Sequence, residues 1–145
     1  MARDDGDDLL ARMQAMDVGP ACELLGFRLL DFDRDTATAR CCFEAKPEFC
    51  NPRGAIQGGI VTAMLDTAMS IAGVGKSNLE LAVPTLEMKT TYLRPALPGT
   101  LYCEGRVLRM GRNIAFFEGT LADAEGRLLA TATSTAFLIP DPNKA

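Results

Sequence analysis

The chain has 145 residues, an apolar fraction of 48% and a formal net charge of −4, which suits one domain with a sizeable core. The acidic balance argues against a nucleic-acid partner, because phosphate binding needs a basic surface. There is no histidine, so a Ser-His-Asp triad, a Cys-His dyad and any imidazole acid or base are excluded.

The opening residues MARDDGDD are acidic and lack the apolar core of a secretory signal, so a cytoplasmic protein is expected. Residues 4–17 read as a short helix: Leu9, Leu10 and Met13 recur near helical spacing, with acidic residues in the first turn. Gly19 and Pro20 stop it, and residues 21–25 read as another brief turn. From Phe27 the pattern changes to strand. Residues 27–32 and 36–43 predict a hairpin around the polar turn Asp33-Arg34-Asp35, and residues 47–52 a loop.

The stretch 51–76 organises the chain. It opens with turn chemistry at Asn51-Pro52 and Gly54, passes through Gln57-Gly58-Gly59, and is almost wholly small or aliphatic over residues 60–74. Ala63, Met64, Leu65, Ala68, Met69 and Ala72 favour a helix. Thr62, Asp66 and Ser70 lie four apart with Thr67 beside them, one narrow polar stripe on a helix that other structure must wrap. Asp66 is the only ionisable side chain between Arg53 and Lys76. Desolvating a lone carboxylate is costly or raises its pKa. Two readings stand: a structural Asp paired with a distant cation or with backbone, and a catalytic group. The glycines favour the second. Helix-start N–H groups lack internal partners, the helix dipole attracts negative charge there, and Gly58 and Gly59 admit a ligand closely. An oxyanion site about two turns from a lone carboxylate resembles half of an acyl-transfer site.

Gly73, Gly75 and Ser77-Asn78 are expected to close the helix, and four strands follow over residues 82–93, 100–110, 114–122 and 128–139. In the first, Leu86, Met88 and Tyr92 alternate with Thr85, Glu87, Lys89 and Thr91; in the second, Leu101, Cys103 and Val107 share a face. Thr131, Thr133 and Thr135 alternate in the fourth, Pro140 ends it, and residues 141–145 are expected to be a disordered tail. Strands on both sides of one long helix predict an α+β domain, its antiparallel sheet curled around that helix. The five cysteines form no CxxC pair and read as reduced packing residues, and no zinc spacing is present. Neither a phosphate loop nor a dinucleotide motif occurs, so no cofactor is expected. Lys76 and the flanking glycines hold the apolar run below membrane-spanning length, so no membrane partner is expected.

This layout, with N-x-x-G-x-x-Q-G-G running from Asn51 to Gly59 and an acidic residue at Asp66, resembles the hotdog-fold thioesterases. It is most similar to their phenylacetate-degradation (PaaI-like) branch, whose members hydrolyse acyl- or aryl-coenzyme A thioesters. The resemblance covers residues 24–140, with residues 1–23 as an N-terminal helical segment, and the strand TLEMKTTYLRPA adds weight to it. It implies Asp66 as the catalytic carboxylate, the Gly58 N–H as the carbonyl-polarising donor and Asn51 as a group orienting the thioester or the water. Thr85 matches a position where the family places Ser or Thr near the reacting centre. Gln57 stands where most members carry His, and it can hydrogen-bond but not titrate.

Thioester hydrolysis is therefore the expected activity, with Asp66 as general base on water or as a nucleophile giving a mixed anhydride. A non-catalytic acyl-CoA binding protein is the alternative, because of Gln57. The resemblance also implies a homodimer or homotetramer, sheets joined edge to edge and sites shared between protomers, with the strand around Thr85 as the seam. Gly59 and Thr67 would border the substrate. Arg94, Arg109 and Arg112 beside their turns would offer guanidinium groups to the CoA phosphates.

Overall fold

The computed structural model describes residues 5–144, with side chains from Asp8 onward. The expected start of the first helix at Asp4, and Ala145 at the end of the expected tail, lie outside the described residues. Two helices, α1 (Asp5–Gln14) and α2 (Gly19–Leu24), precede strands β1 (Arg28–Asp33) and β2 (Thr38–Ala45). A 3-10 turn (Pro47–Phe49) leads into α3 (Gly58–Lys76). Then come β3 (Leu81–Ala82), β4 (Thr85–Tyr92), β5 (Gly99–Met110), β6 (Ile114–Ala122), β7 (Leu128–Phe137) and β8 (Ile139–Pro140). The six longer strands form one antiparallel sheet in the order β1-β2-β5-β6-β7-β4, while β3 and β8 pair separately. This is the α+β architecture the sequence predicts, with α3 lying across the inner face of the sheet.

Alternation decides which side chains meet the helix. Leu101, Cys103 and Val107 of β5 are buried against it, as expected, together with Phe117 and Leu121 of β6 and Ala132 and Ala136 of β7. From α3, Met64, Leu65, Ala68, Met69 and Ala72 are fully enclosed. β5 passes so close to α3 at Gly105 that any Cβ there would run into the Ala68 carbonyl. By length and composition α3 would serve as a membrane span, contrary to expectation, but its buried face lies on the sheet instead.

Three details differ from the sequence reading. Gly73 and Gly75 do not end α3 but sit inside it, where added Cβ atoms would press on Phe117 (3.0 Å) and on Met13 and Phe32 (2.6 and 2.7 Å). They are small for packing. The helix ends at Lys76 with Ser77 as its cap, and Asn78 and Leu79, at left-handed φ of 55° and 64°, turn the chain away, so the expected closure at Ser77-Asn78 holds. The expected strand over residues 82–93 is cut by Val83 and Pro84, so β3 leaves the main sheet to pair with β8. Residues expected to form a disordered tail instead make a 3-10 turn (Pro142–Lys144). Asp141 N–H donates to the Glu80 carbonyl at 3.1 Å, and Lys144 Nζ meets Glu80 Oε1 at 2.8 Å.

Candidate active site

Gln57 is the N-cap of α3, with extended backbone (φ −58°, ψ 140°) and a side chain that makes no cap hydrogen bond. Its carbonyl accepts from Ile60 N–H (2.9 Å) and Val61 N–H (3.2 Å), so it closes the first turn through backbone alone. The Gly58 and Gly59 N–H groups have no acceptor among the described residues, as the first donors of a helix normally lack one. The Gln57 side chain is exposed beside them. Asn51 is tied into the loop before α3. Its Oδ1 accepts from Arg53 N–H (2.9 Å) and Ala55 N–H (3.3 Å), so its oxygen holds the loop before α3 and only its amide nitrogen can face a ligand.

Thr62 and Asp66 of the polar stripe meet β4, an edge strand of the sheet. At one end Thr85 Oγ1 donates to Asp66 Oδ1 at 2.6 Å. At the other, Thr62 Oγ1 lies 2.8 Å from both Thr90 Oγ1 and Tyr92 OH, and Tyr92 OH donates to the Gly58 carbonyl at 2.7 Å. Strict alternation would turn Thr85 away from the helix, on the side of Glu87 and Lys89. A β-bulge prevents this: Thr85 pairs with Ala136 and Glu87 with Thr135, so Leu86 is an extra residue and Thr85 turns inward. Leu86, which alternation sets on one face with Met88 and Tyr92, is 57% exposed at the bulge.

The remaining proposed residues separate. Gly59 is open, with nothing within 4 Å of a built Cβ. Thr67 donates to the Ala63 carbonyl (2.9 Å) and its hydroxyl lies 3.8 Å from Cys22 Sγ of α2, a contact in helix packing. Arg94 follows Tyr92 at the Gly58 end and donates to the Leu128 carbonyl at 2.7 Å. It borders a groove of about 590 Å³ that also touches Asn51, Arg53, Gly58, Val61 and Leu97. Arg109 and Arg112 sit at the other end: the ladder runs from Thr85 through Ala136 and Ala115 to Met110. A single chain therefore cannot bring Arg94 and the Arg109–Arg112 turn to the same phosphate.

The chemistry available is narrow. Burial pushes the Cys41 thiol up to about 12, with Cys42 and Cys22 adding to it, and pushes Cys103 well above its usual value. Neither supplies a thiolate nucleophile. Among the described residues no cluster suited to a metal ion occurs. What remains is a carboxylate steadied by a hydroxyl and a pair of open amide donors. Yet Gly58 and Asp66 are eight residues apart on α3, about 12 Å along the axis. A reacting carbonyl must lie about 3 Å from both nucleophile and oxyanion donor. The Thr62–Tyr92 hydroxyl pair occupies the helix surface between them. Within one chain the two halves are held apart.

A family profile described as the thioesterase superfamily matches residues 53–130, from the loop before α3 into β7. The chain belongs to the thioesterase superfamily. Its fold is the hotdog, and its likeness falls in the phenylacetate-degradation branch. A crystal structure from Ralstonia eutropha JMP134, a candidate thioesterase described as phenylacetic acid degradation-related, is 30% identical. It matches 89% of this chain and 98% of its own, with a TM-score of 0.81. A protein of Saccharolobus solfataricus named as a candidate esterase is 26% identical over 117 residues, 81% of each chain. A Streptococcus mutans UA159 protein crystallised with acetyl-CoA shares the fold at 20% identity and a TM-score of 0.73, covering 87% of this chain and 94% of its own. At the level of the superfamily, this thioesterase chain is a thioester hydrolase.

Two residues of the site escape a sequence reading. Tyr92 and Thr90 meet Thr62 and Gly58 from 28 to 34 residues away, and only the even spacing of Thr62 and Asp66 hinted that a strand would cross them.

Proposed function

We propose that this thioesterase hydrolyses an acyl- or aryl-CoA thioester to the free acid and CoA, at sites completed between two protomers. The observation that carries the reading is the separation of Asp66–Thr85 and Gly58–Tyr92 to opposite ends of one edge strand. An unpaired edge favours pairing with a second copy. In a two-fold antiparallel pairing of β4 with its copy, residue i faces j and j faces i. Centred on Lys89, with Leu86 bulged out as the extra residue, that pairing sets Thr85 opposite Tyr92 of the partner. The partner's Gly58 then comes beside Asp66.

In such a site the Gly58 N–H donates to the thioester oxygen as it gains negative charge, and Asp66 acts on the carbonyl carbon from the other side. Asp66 either takes a proton from the attacking water or attacks directly, forming a mixed anhydride that water then opens to acid. The departing thiolate of CoA takes up the proton that Asp66 drew from the water or, on the anhydride route, the proton released when water opens the anhydride, so Asp66 returns to its carboxylate form. Thr85 occupies one lone-pair site of Oδ1 and orients the carboxylate, leaving Oδ2 toward the substrate. The same pairing carries the partner's Arg94 to the end of the sheet where Arg109 and Arg112 lie, so all three border the CoA phosphates.

The test is turnover across aryl, short-chain and long-chain acyl-CoA esters, with sedimentation at micromolar concentration. Hydrolysis by a dimer or tetramer is the expected result. A stable active monomer, or CoA-ester binding with no hydrolysis of any member, would overturn the proposal.

A further inference from the structure

The hydroxyl chain at the Gly58 end has no part in the hydrolysis described above, and its geometry fixes its proton order. The Gly58 carbonyl can only accept, so Tyr92 spends its single O–H proton there, at 2.7 Å. The Tyr92 oxygen must then accept from Thr62, at 2.8 Å, and the Thr62 oxygen in turn accepts from Thr90, at 2.8 Å. Protons thus run one way: Thr90 to Thr62 to Tyr92 to the Gly58 carbonyl.

That carbonyl belongs to the peptide whose N–H is that of Gly59. A hydrogen bond drawing density at a peptide oxygen makes the N–H of the same peptide a stronger donor, and chained hydroxyls polarise one another further. Gly59 is exposed and its surroundings are open. The Tyr92 ring also lies 3.0 to 3.3 Å from the place a Gly58 Cβ would occupy, so glycine at 58 is what lets the hydroxyl reach.

We propose that Tyr92 is a positioning residue for the reaction: with Thr62 and Thr90 behind it, its hydroxyl fixes the first turn of α3 and polarises the Gly58–Gly59 peptide. Gly59 N–H thereby becomes a second donor to the thioester oxygen, beside Gly58 N–H. The inference rests on the thioesterase reading for its kinetic consequence but not for its peptide polarisation.

Tyr92→Phe keeps the ring and removes only the hydroxyl. Its kcat should fall about tenfold, one hydrogen bond's worth, with KM within about twofold. Thr62→Val, which cuts the chain one step back, should lower kcat in the same direction by less. The amide resonance of Gly59 should move in both variants, while that of Ala115, at the Thr85 end of the sheet, stays. A kcat unchanged in Tyr92→Phe would overturn the proposal, as would a lowered kcat with the Gly59 resonance unmoved. If the wild-type chain hydrolyses no thioester, the function reading fails. The amide resonance then decides alone: a moved Gly59 signal supports the relay, and an unmoved one overturns it.

Discussion

Replacing Asp66 by Asn removes charge and basicity while nearly preserving shape. Asp66 Oδ1 accepts from Thr85 Oγ1 at 2.6 Å, and Asn offers an oxygen in the same place. Among the described residues Asp66 joins no ion pair. The structural loss is therefore the difference between a charge-assisted and a neutral hydrogen bond, about 1 kcal/mol. For a chain of this size that moves Tm by no more than about 4 °C. A structural ion-pair role would instead cost about 3–5 kcal/mol on losing one partner. The chemical loss is larger, because general-base catalysis contributes about 10²- to 10⁴-fold. The assay is paired: steady-state turnover of a preferred acyl-CoA ester, and thermal unfolding, on wild type and Asp66→Asn. The expected result is a kcat lowered at least about 100-fold with Tm nearly unchanged. Full activity in Asp66→Asn would refute the mechanism, and a collapsed Tm would refute the claim that Asp66 bears no structural charge pair.

Gly105→Ala should destabilise by about 3 kcal/mol or more, read by denaturant unfolding, because its Cβ meets helix backbone at Ala68 and not a yielding side chain. Gln57→His should keep kcat/KM within about tenfold, since the native side chain is exposed and leaves α3 uncapped. Cys41 and Cys103 titrate higher folded than unfolded, so their contribution is complete below the unfolded thiol value and is lost as pH rises through it toward about 12 for Cys41. Stability should therefore decline above about pH 8.5, and Cys41→Ala should flatten that decline in unfolding measured from pH 7 to 10.

The order of elements is legible because each carries its own period: α3 as an unbroken apolar run, β5 and β6 as alternation between turns. What sequence misses depends on partners far along the chain. The inward turn of Thr85 comes from a bulge that exists only against Ala136 and Thr135 of β7, and alternation alone puts Thr85 on the wrong face. The resemblance nevertheless singled it out. Gly73 and Gly75 read as a stop because glycine lowers helix propensity, whereas here Phe117, Met13 and Phe32 demand the missing Cβ. The partner of Asp66 is a hydroxyl and not a cation, and that hydroxyl lies 19 residues further along the chain, where no local pattern marks it. The three arginines look equivalent beside their turns, and only the strand register sends Arg94 to the opposite end from Arg109 and Arg112.

The claim that Asp66 acts with the Gly58 of a second protomer is tested most directly by complementation. Gly58→Pro removes the N–H donor at the first helical position, where proline is tolerated and where the Gln57 backbone at φ −58°, ψ 140° already suits a following proline. The Tyr92 hydroxyl, 3.0 Å from the new Cβ, must give by a few tenths of an ångström. Each parent, Gly58→Pro or Asp66→Asn, should lose at least about 100-fold in kcat. A purified mixed dimer holds one site with both changes and one with neither, so the account predicts about half the wild-type kcat per dimer. Activity in the mixed dimer no higher than in its parents would place Asp66 and Gly58 in the same protomer's site and contradict the account.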